Sequence, residues 1–473
     1  MRTTSTRFKE IKDLLGKPYE DLEFLLKCFS EVLKENGEPQ LAAQLPWVSE
    51  KAPDFSGENK QKILQLYSIA FQLLNLSEVN GAVQNRRQSI DREGLASVNG
   101  LWGRVLMDLK KRGVKGEEII EQLQYIEAEP VLTAHPTEAK RPVVLSLYRQ
   151  LYLLMVKREN SMYNRYEQEE LSHDIKRILH KLWFIGEIFI EKPALESELE
   201  NVLHYFYRVF PEVLPFLDYR LRQAWTEADY DPLLVEDSTR FPSITFGNWV
   251  GGDRDGHPLV TAKVTTYTLQ EFRIHGLKLA LARLDDLSDK VSIYCESECL
   301  TRDFTRRLKE IESELGSTPV ADQNEPFRYF INLLKLKLPV AERQGGGVEL
   351  VDTEYTYKHS DELVRDLELL KATLEKYGAW SLAHYDVQKV VRHLDIFGFH
   401  LARLDVRQNS QYYEEALKEI IKTAIPEKYS GILKTQESLS AFIQEELIHN
   451  RPFLTRTEFI PSDQAKEAVD TFH

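Results

Sequence analysis

Glu129-Pro-Val-Leu-Thr-Ala-His-Pro-Thr-Glu-Ala-Lys-Arg-Pro142 is the stretch on which the reading of the fold turns. After Pro130, the run Val131, Leu132, Thr133 and Ala134 reads as a short buried strand. His135 stands where that run stops, and the proline after it keeps it out of the α region, so it ends the strand extended and facing the mouth of a loop. Thr137, Glu138, Lys140 and Arg141 follow. Val143, Val144, Leu147, Leu151 and Leu154 then recur at helical spacing. A strand, a polar loop holding a histidine and cations, and then a helix is how α/β folds place reactive groups. A strand-capping histidine held by a carbonyl is the alternative reading of His135.

Two later stretches have the same form. Ile244-Thr-Phe-Gly-Asn-Trp-Val250 reads as a second strand running into Gly251-Gly-Asp-Arg-Asp-Gly256, whose glycines permit a tight turn and close approach to a ligand. Asp253 and Asp255 do not make a calcium loop, because Gly251 and Ala262 stand where the EF-hand pattern needs Asp and Glu. Arg254, between the two aspartates, reads as an internal ion pair that shapes the loop; direct ligand contact is the alternative. His400-Leu-Ala-Arg-Leu-Asp-Val-Arg407 reads as a third strand that puts Arg407 at its end. On residues alone, an Arg403–Asp405–Arg407 ladder on a solvated face competes with Arg407 as a bidentate contact for phosphate or carboxylate.

The remainder reads as helix. Leu14 to Leu33 form a stripe ended by Asn36-Gly37, and residues 62–80 form a second, strongly apolar helix whose end, Phe71–Glu78 with Asn75, reads as a core helix with one buried amide. Further helices are expected at 116–126, 143–159, 165–192, 195–227, 262–290, 301–315, 323–337, 360–377, 411–424 and 436–449. The stretch from Pro461 begins as a helix capped by Ser462 or Asp463. Gln344-Gly-Gly-Gly347 is a flexible loop, since no Gly-Lys-Ser/Thr follows it as a phosphate loop requires. The expected organisation is an N-terminal helical region, residues 1–128, followed by residues 129–473, which hold the first strands of a barrel with long helical insertions. The fold class is mostly α with a partial α/β barrel.

Composition narrows the function. With 473 residues, 42% apolar and 29% charged, the chain is that of a soluble globular protein. A net charge of −14 argues against nucleic-acid binding, and it means that an anionic ligand must be held by a local cluster of arginines. Cys28, Cys295 and Cys299 are too few and too sparse for a disulfide framework; Cys295 and Cys299 could share a helix face, but read as ordinary thiols. No apolar run approaches a membrane span, and Met1–Arg7 leads into a charged helical pattern with no apolar signal region, so the expected location is the cytoplasm.

Thr133-Ala-His-Pro-Thr-Glu138 resembles the first signature of the phosphoenolpyruvate carboxylase family. Phe246-Gly-Asn-Trp-Val-Gly-Gly-Asp-Arg-Asp-Gly-His-Pro258 and Phe397-Gly-Phe-His-Leu-Ala-Arg-Leu-Asp-Val-Arg-Gln-Asn-Ser410 are similar to two more of its motifs, in the family's order. The resemblance runs from near residue 8 to the C-terminus and covers about the first half of the family's usual length. It implies a TIM-type barrel of which this chain holds about three strands, and carboxylation of phosphoenolpyruvate with bicarbonate to oxaloacetate and phosphate. It implies His135 as general base, Arg407 as a contact for phosphoryl or carboxylate oxygens, Arg141 and Arg254 as further substrate contacts, and Trp249 as part of the site wall. It also implies Mg²⁺ or Mn²⁺, with metal ligands outside this chain, and a homo-oligomer. The chain departs from the family at Pro142, where a second arginine is usual, at Phe189 and Lys192, where arginines are expected, and at His257, where asparagine is common. Eight strands close such a barrel, so the chain is expected to be incomplete as a catalytic unit and to need a separately encoded C-terminal half. An inactive remnant and a non-catalytic helical scaffold are the alternatives.

Overall fold

The structure is a computed structural model and describes residues 15–47, 60–133, 142–186, 195–255, 259–295, 299–316, 325–342, 348–449 and 462–472. The described residues fall into two compact units that alternate along the chain: one lies within 1–114, 135–197 and 223–230, the other within 115–134, 198–222 and 231–473.

The first unit is built on four helices, α1 (Lys17–Glu35), α2 (Lys60–Glu93), α3 (Pro142–Arg158) and α4 (Arg165–Ile185). Leu25, Phe29 and Val32 of α1 meet Leu66, Ile69 and Leu73 of α2, Leu147 and Leu151 of α3, and Ile175, Leu179 and Leu182 of α4 in one apolar core. Each such side chain contributes about 1.5–3 kcal/mol by leaving water. The helix ends follow local chemistry. Pro18 opens α1, Asn36 and Gly37 (φ +77°) close it, and Asn164 with Glu167 forms a capping box on α4. The buried amide of α2 is Asn80 and not Asn75, which is exposed. Asn80 donates to Asp21 at 2.7 Å and to Glu159 at 3.1 Å. Helix α4 stops at Gly186 (φ +71°), short of the expected 192; Phe189 and Lys192 lie outside the described residues.

The second unit carries the strands, of which the described residues contain seven: β1 (Glu127–Ala128), β2 (Val131–Leu132), β3 (Ser243–Ile244), β4 (Gly247–Asn248), β5 (Val340–Glu342), β6 (Val348–Leu350) and β7 (Arg403–Leu404). β2, β4 and β7 form a parallel sheet in that order, with Val131 opposite Gly247 and Gly247 opposite Arg403; β1 pairs with β3 in parallel. β5 and β6 are antiparallel; Gln344–Gly347, expected as a flexible loop, lie outside the described residues. The chain is thus mostly helical with a few short parallel strands, and no closed barrel is found among the described residues. Val131 is 37% exposed rather than buried, because among the described residues β2 has only β4 beside it.

Helices α5 (Ala262–Lys290), α6 (Arg302–Leu315), α7 (Pro326–Leu336), α8 (Ser360–Tyr377) and α9 (Gln388–Phe397) share the second unit's main core. A stack of phenylalanines ties that core to the sheet. Phe246, just before β4, lies parallel to Phe210 at 4.6 Å and to Phe397 at 5.5 Å. Cys295 and Cys299 lie outside the α-helices, and neither they nor the buried Cys28 take part in a disulfide among the described residues. Helix α10 (Ser410–Ala424) packs against α11 (Asp463–Asp470) through Ala416, Ala465 and Ala468. Ser462 caps α11 by accepting from the Ala465 amide at 3.1 Å, and Glu467 accepts from the Ala262 amide at the start of α5. No helix among the described residues is long and apolar enough to cross a membrane.

Candidate functional site at the strand ends

Parallel strands present functional groups beyond their C-terminal ends, and here β4 and β7 do so side by side. The ladder continues past the strands: Trp249 N–H donates to Leu132 at 3.0 Å, Asp405 N–H to Asn248 at 2.9 Å, and Arg407 N–H to Gly252 at 3.0 Å. Arg254 N–H then donates to the Arg407 carbonyl at 2.8 Å, and Asp253 bridges to Arg407 in parallel. Asp253 lies five positions after Asn248, whereas Arg407 lies three positions after Leu404. The excess on the β4 side is absorbed by a turn over Trp249–Gly252 in which Gly252 and Asp253 both donate to the Trp249 carbonyl.

Each residue of that turn has a physical reason. Gly251 sits at φ +82°, and a Cβ there would lie 2.1 Å from the Thr268 hydroxyl. A Cβ on Gly252 would lie 2.3 Å from the Asp405 carbonyl oxygen. The close approach these glycines permit is therefore to the protein itself. Asn248 is fully buried and clamps the turn, donating to the Val250 carbonyl at 2.7 Å and accepting from the Val250 amide at 3.2 Å.

Trp249 projects from the turn, half-buried. Its Nε1–H donates to the Asp405 carboxylate at 3.0 Å, and the Arg407 guanidinium lies 3.9 Å from the centre of its ring. Arg407 is exposed, and no carboxylate among the described residues pairs with it. A solvated Arg403–Asp405–Arg407 ladder does not form. Arg403 instead pairs with Glu129 at 2.8 Å, and Glu129 also accepts from the Thr245 hydroxyl at 2.8 Å.

Arg254 turns inward and is 6% exposed. It donates to the Gly252 carbonyl at 3.1 Å and to the Thr265 hydroxyl at 2.6 Å, and that hydroxyl donates on to the Gly251 carbonyl at 2.8 Å. Its Nε has no partner among the described residues. The ion pair expected with the flanking aspartates is absent: Asp253 accepts from the Asp255 amide, and Arg254 spends its donors on neutral oxygens. Burial raises the Tyr413 hydroxyl pKa above its usual value, and the nearby Arg254 charge opposes that rise. His135, Arg141 and His257 lie outside the described residues, as does Pro142's side chain.

A sequence profile of the phosphoenolpyruvate carboxylase family matches residues 15–473. The chain belongs to that family. The phosphoenolpyruvate carboxylase of Methylorubrum extorquens is 30% identical over 469 residues, which cover 97% of this chain and 50% of the relative. That of Chromobacterium violaceum is 29% identical over 395 residues, covering 81% of this chain and 42% of the relative. That of Gloeobacter violaceus is 25% identical over 490 residues, covering 96% and 50%. The chain thus spans about half the length of the phosphoenolpyruvate carboxylases it matches.

The described residues do not fit the divalent cation expected from this family, because no three of their His, Cys, Asp and Glu side chains gather where they could hold a metal. Near the site, Asp405 is engaged by an indole, Glu129 by an arginine and a hydroxyl, and Asp253 by an amide. Sequence reasoning missed Asn248 and Thr265 as the parts that shape the site. Asn248 had a signal, since an amide between Gly247 and Trp249 at a strand end is suited to hold a turn.

Proposed function

We propose that this chain supplies the N-terminal half of a phosphoenolpyruvate carboxylase and acts together with a C-terminal half to convert phosphoenolpyruvate and bicarbonate into oxaloacetate and phosphate. The observation that carries this reading is Arg407: an exposed guanidinium at a strand end, laid on an indole and paired with no carboxylate among the described residues, in a protein of net charge −14. Stacking holds the fork of N–H donors in one plane, the geometry that binds phosphate or carboxylate oxygens bidentately. Trp249 forms the wall beside that contact. Arg254, beneath the turn, adds positive field to the substrate's side of the site. Arg141 is a further oxyanion contact, and His135 is the general base that takes up a proton as bicarbonate-derived carboxyphosphate decomposes, a task suited to a group titrating near neutral pH.

In this reading residues 129–473 bear the opening strands of a TIM-type barrel and residues 1–128 form the helical region ahead of them. The outer edges of β2 and β7 have no neighbouring strand among the described residues, and further parallel strands of the other half would cover them. The Mg²⁺ or Mn²⁺ ligands belong to that half.

The test is an oxaloacetate-coupled assay with phosphoenolpyruvate, bicarbonate and Mg²⁺, on the chain alone and on the chain co-expressed with the C-terminal half of the Methylorubrum extorquens relative. No turnover alone and turnover in the mixture, lost on His135→Asn, is the expected result. Turnover by the isolated chain would overturn the need for a second half. Inactivity of every combination would leave the scaffold reading in its place.

A further inference from the structure

Asp405 and Arg407 are two apart on an extended segment, so their side chains leave the same face. Opposite charges so placed ordinarily meet, and an arginine held by its own neighbour has no fork left for a ligand. Here they do not meet, because one indole occupies both. The Trp249 Nε1–H engages the Asp405 carboxylate at 3.0 Å, while the Trp249 ring face carries the Arg407 guanidinium at 3.9 Å.

We infer that Trp249 is a separator: it holds Asp405 at its edge and Arg407 on its face, and so keeps Arg407 from being neutralised by its own strand. This gives the tryptophan a task beyond forming a wall, and it rests on the reading of Arg407 as an oxyanion contact. The surrounding structure supports it. Trp249 arises from the extra residues of the turn, and that turn is fixed by the buried Asn248, by Gly251 and by Gly252. The indole is therefore inserted by backbone geometry from a neighbouring strand. The Asp405 carboxylate at the N–H also increases the electron density of the ring, which strengthens its hold on the cation.

The experiment uses the full chain with inorganic phosphate as probe, read by calorimetry and by the side-chain ¹⁵N signal of Arg407. Trp249→Phe keeps a ring face but removes the donor, so Asp405 is released onto Arg407. Phosphate binding should weaken roughly two- to fivefold, the worth of an ion pair of this kind, and the Arg407 signal should shift to that of a paired guanidinium. The double variant Trp249→Phe/Asp405→Asn should restore both the affinity and the signal. A merely structural role would not produce that rescue. Benzothienylalanine at position 249, which replaces the N–H by sulfur at the same ring size, gives the same test should the phenylalanine variant fold poorly. A double variant as weak as the single one, or an Arg407 signal that Trp249→Phe does not move, overturns the separator. If the unaltered chain shows no phosphate affinity, the oxyanion reading of Arg407 fails, and the ¹⁵N signal alone then decides the separator.

Discussion

Gly252 lies so close to Asp405 that a Cβ built on it would stand 2.3 Å from the Asp405 carbonyl oxygen. That contact sets the register between the turn after β4 and the segment after β7, since the Gly252 carbonyl also accepts the Arg407 amide at 3.0 Å. Gly252→Ala must therefore push the two segments apart, at a cost of about 1–3 kcal/mol. Urea denaturation should show that loss, and the Arg407 ¹⁵N signal should move with it. An alanine variant as stable as the parent would mean that the turn can yield without moving Arg407.

A second prediction concerns the helical core of the same unit. Arg307 binds Asp366 bidentately at 2.7 and 3.1 Å, and the buried Tyr357 hydroxyl donates to the same carboxylate at 2.6 Å. Burial, followed by the Asp366 charge, pushes the Tyr357 hydroxyl well above its usual range. Asp366→Ala leaves the half-buried Arg307 with only Glu314 at 3.3 Å and Glu310 at 3.4 Å, strands the buried Tyr357 hydroxyl, and should destabilise by about 1–3 kcal/mol. Tyr357→Phe removes one bond and should cost about 1 kcal/mol. A double-mutant cycle on the two positions checks it: simple additivity would show that they do not act as one network.

The third prediction is a pH dependence. His275 on α5 has its Nδ1 2.8 Å from the Glu271 carbonyl, and its ring meets Tyr207 edge-on at 5.5 Å. Burial lowers its pKa below the usual 6.5, against the smaller effect of that carbonyl. The unfolded chain thus takes up the proton first as pH falls. The stability contribution of the neutral ring is complete above about pH 6.5 and declines below it, with a slope of at most about 1.4 kcal/mol per pH unit. The urea midpoint should drop between pH 7 and pH 5.5, and drop less in His275→Gln. Parallel pH profiles for the two proteins would assign the acid sensitivity to other groups.

Much of the architecture was legible in the sequence, for identifiable reasons. Prolines and glycines bracket the short apolar runs at β2 and β4, Gly398 precedes the one at β7, and most helices end at the glycines, asparagines and caps that mark them. The helix over Gln388–Phe397 was not anticipated, although Val390, Val391, Leu394 and Phe397 are spaced for it. The chain enters it through a wide turn at Leu382–Val387, where the extra residue per turn breaks the 3.6-residue period. Strand lengths were overestimated because the ladder is interrupted by the turn that presents Trp249. Trp249 and Arg407 could each be singled out from their motifs. Their meeting could not, because Trp249 and Asp405 are 156 residues apart and only the register of parallel strands brings them together. The inward turn of Arg254 was hidden for the same reason: its partner Thr265 belongs to the following helix, and the sequence pointed to the adjacent aspartates.

The pairing of Glu129 with Arg403 also imposes a timetable on synthesis. The two residues are 274 positions apart, so at a ribosomal pace of roughly 5–20 residues per second β2 emerges about 14–55 s before β7 exists to complete its sheet. Through that interval the partly exposed Val131 edge and, once made, the phenylalanines around β4 await partners still to be translated. The growing chain is most vulnerable to misassociation there, and early helices that fold by themselves, as those of the first unit's core can begin to do, limit how much of it is left uncovered at once.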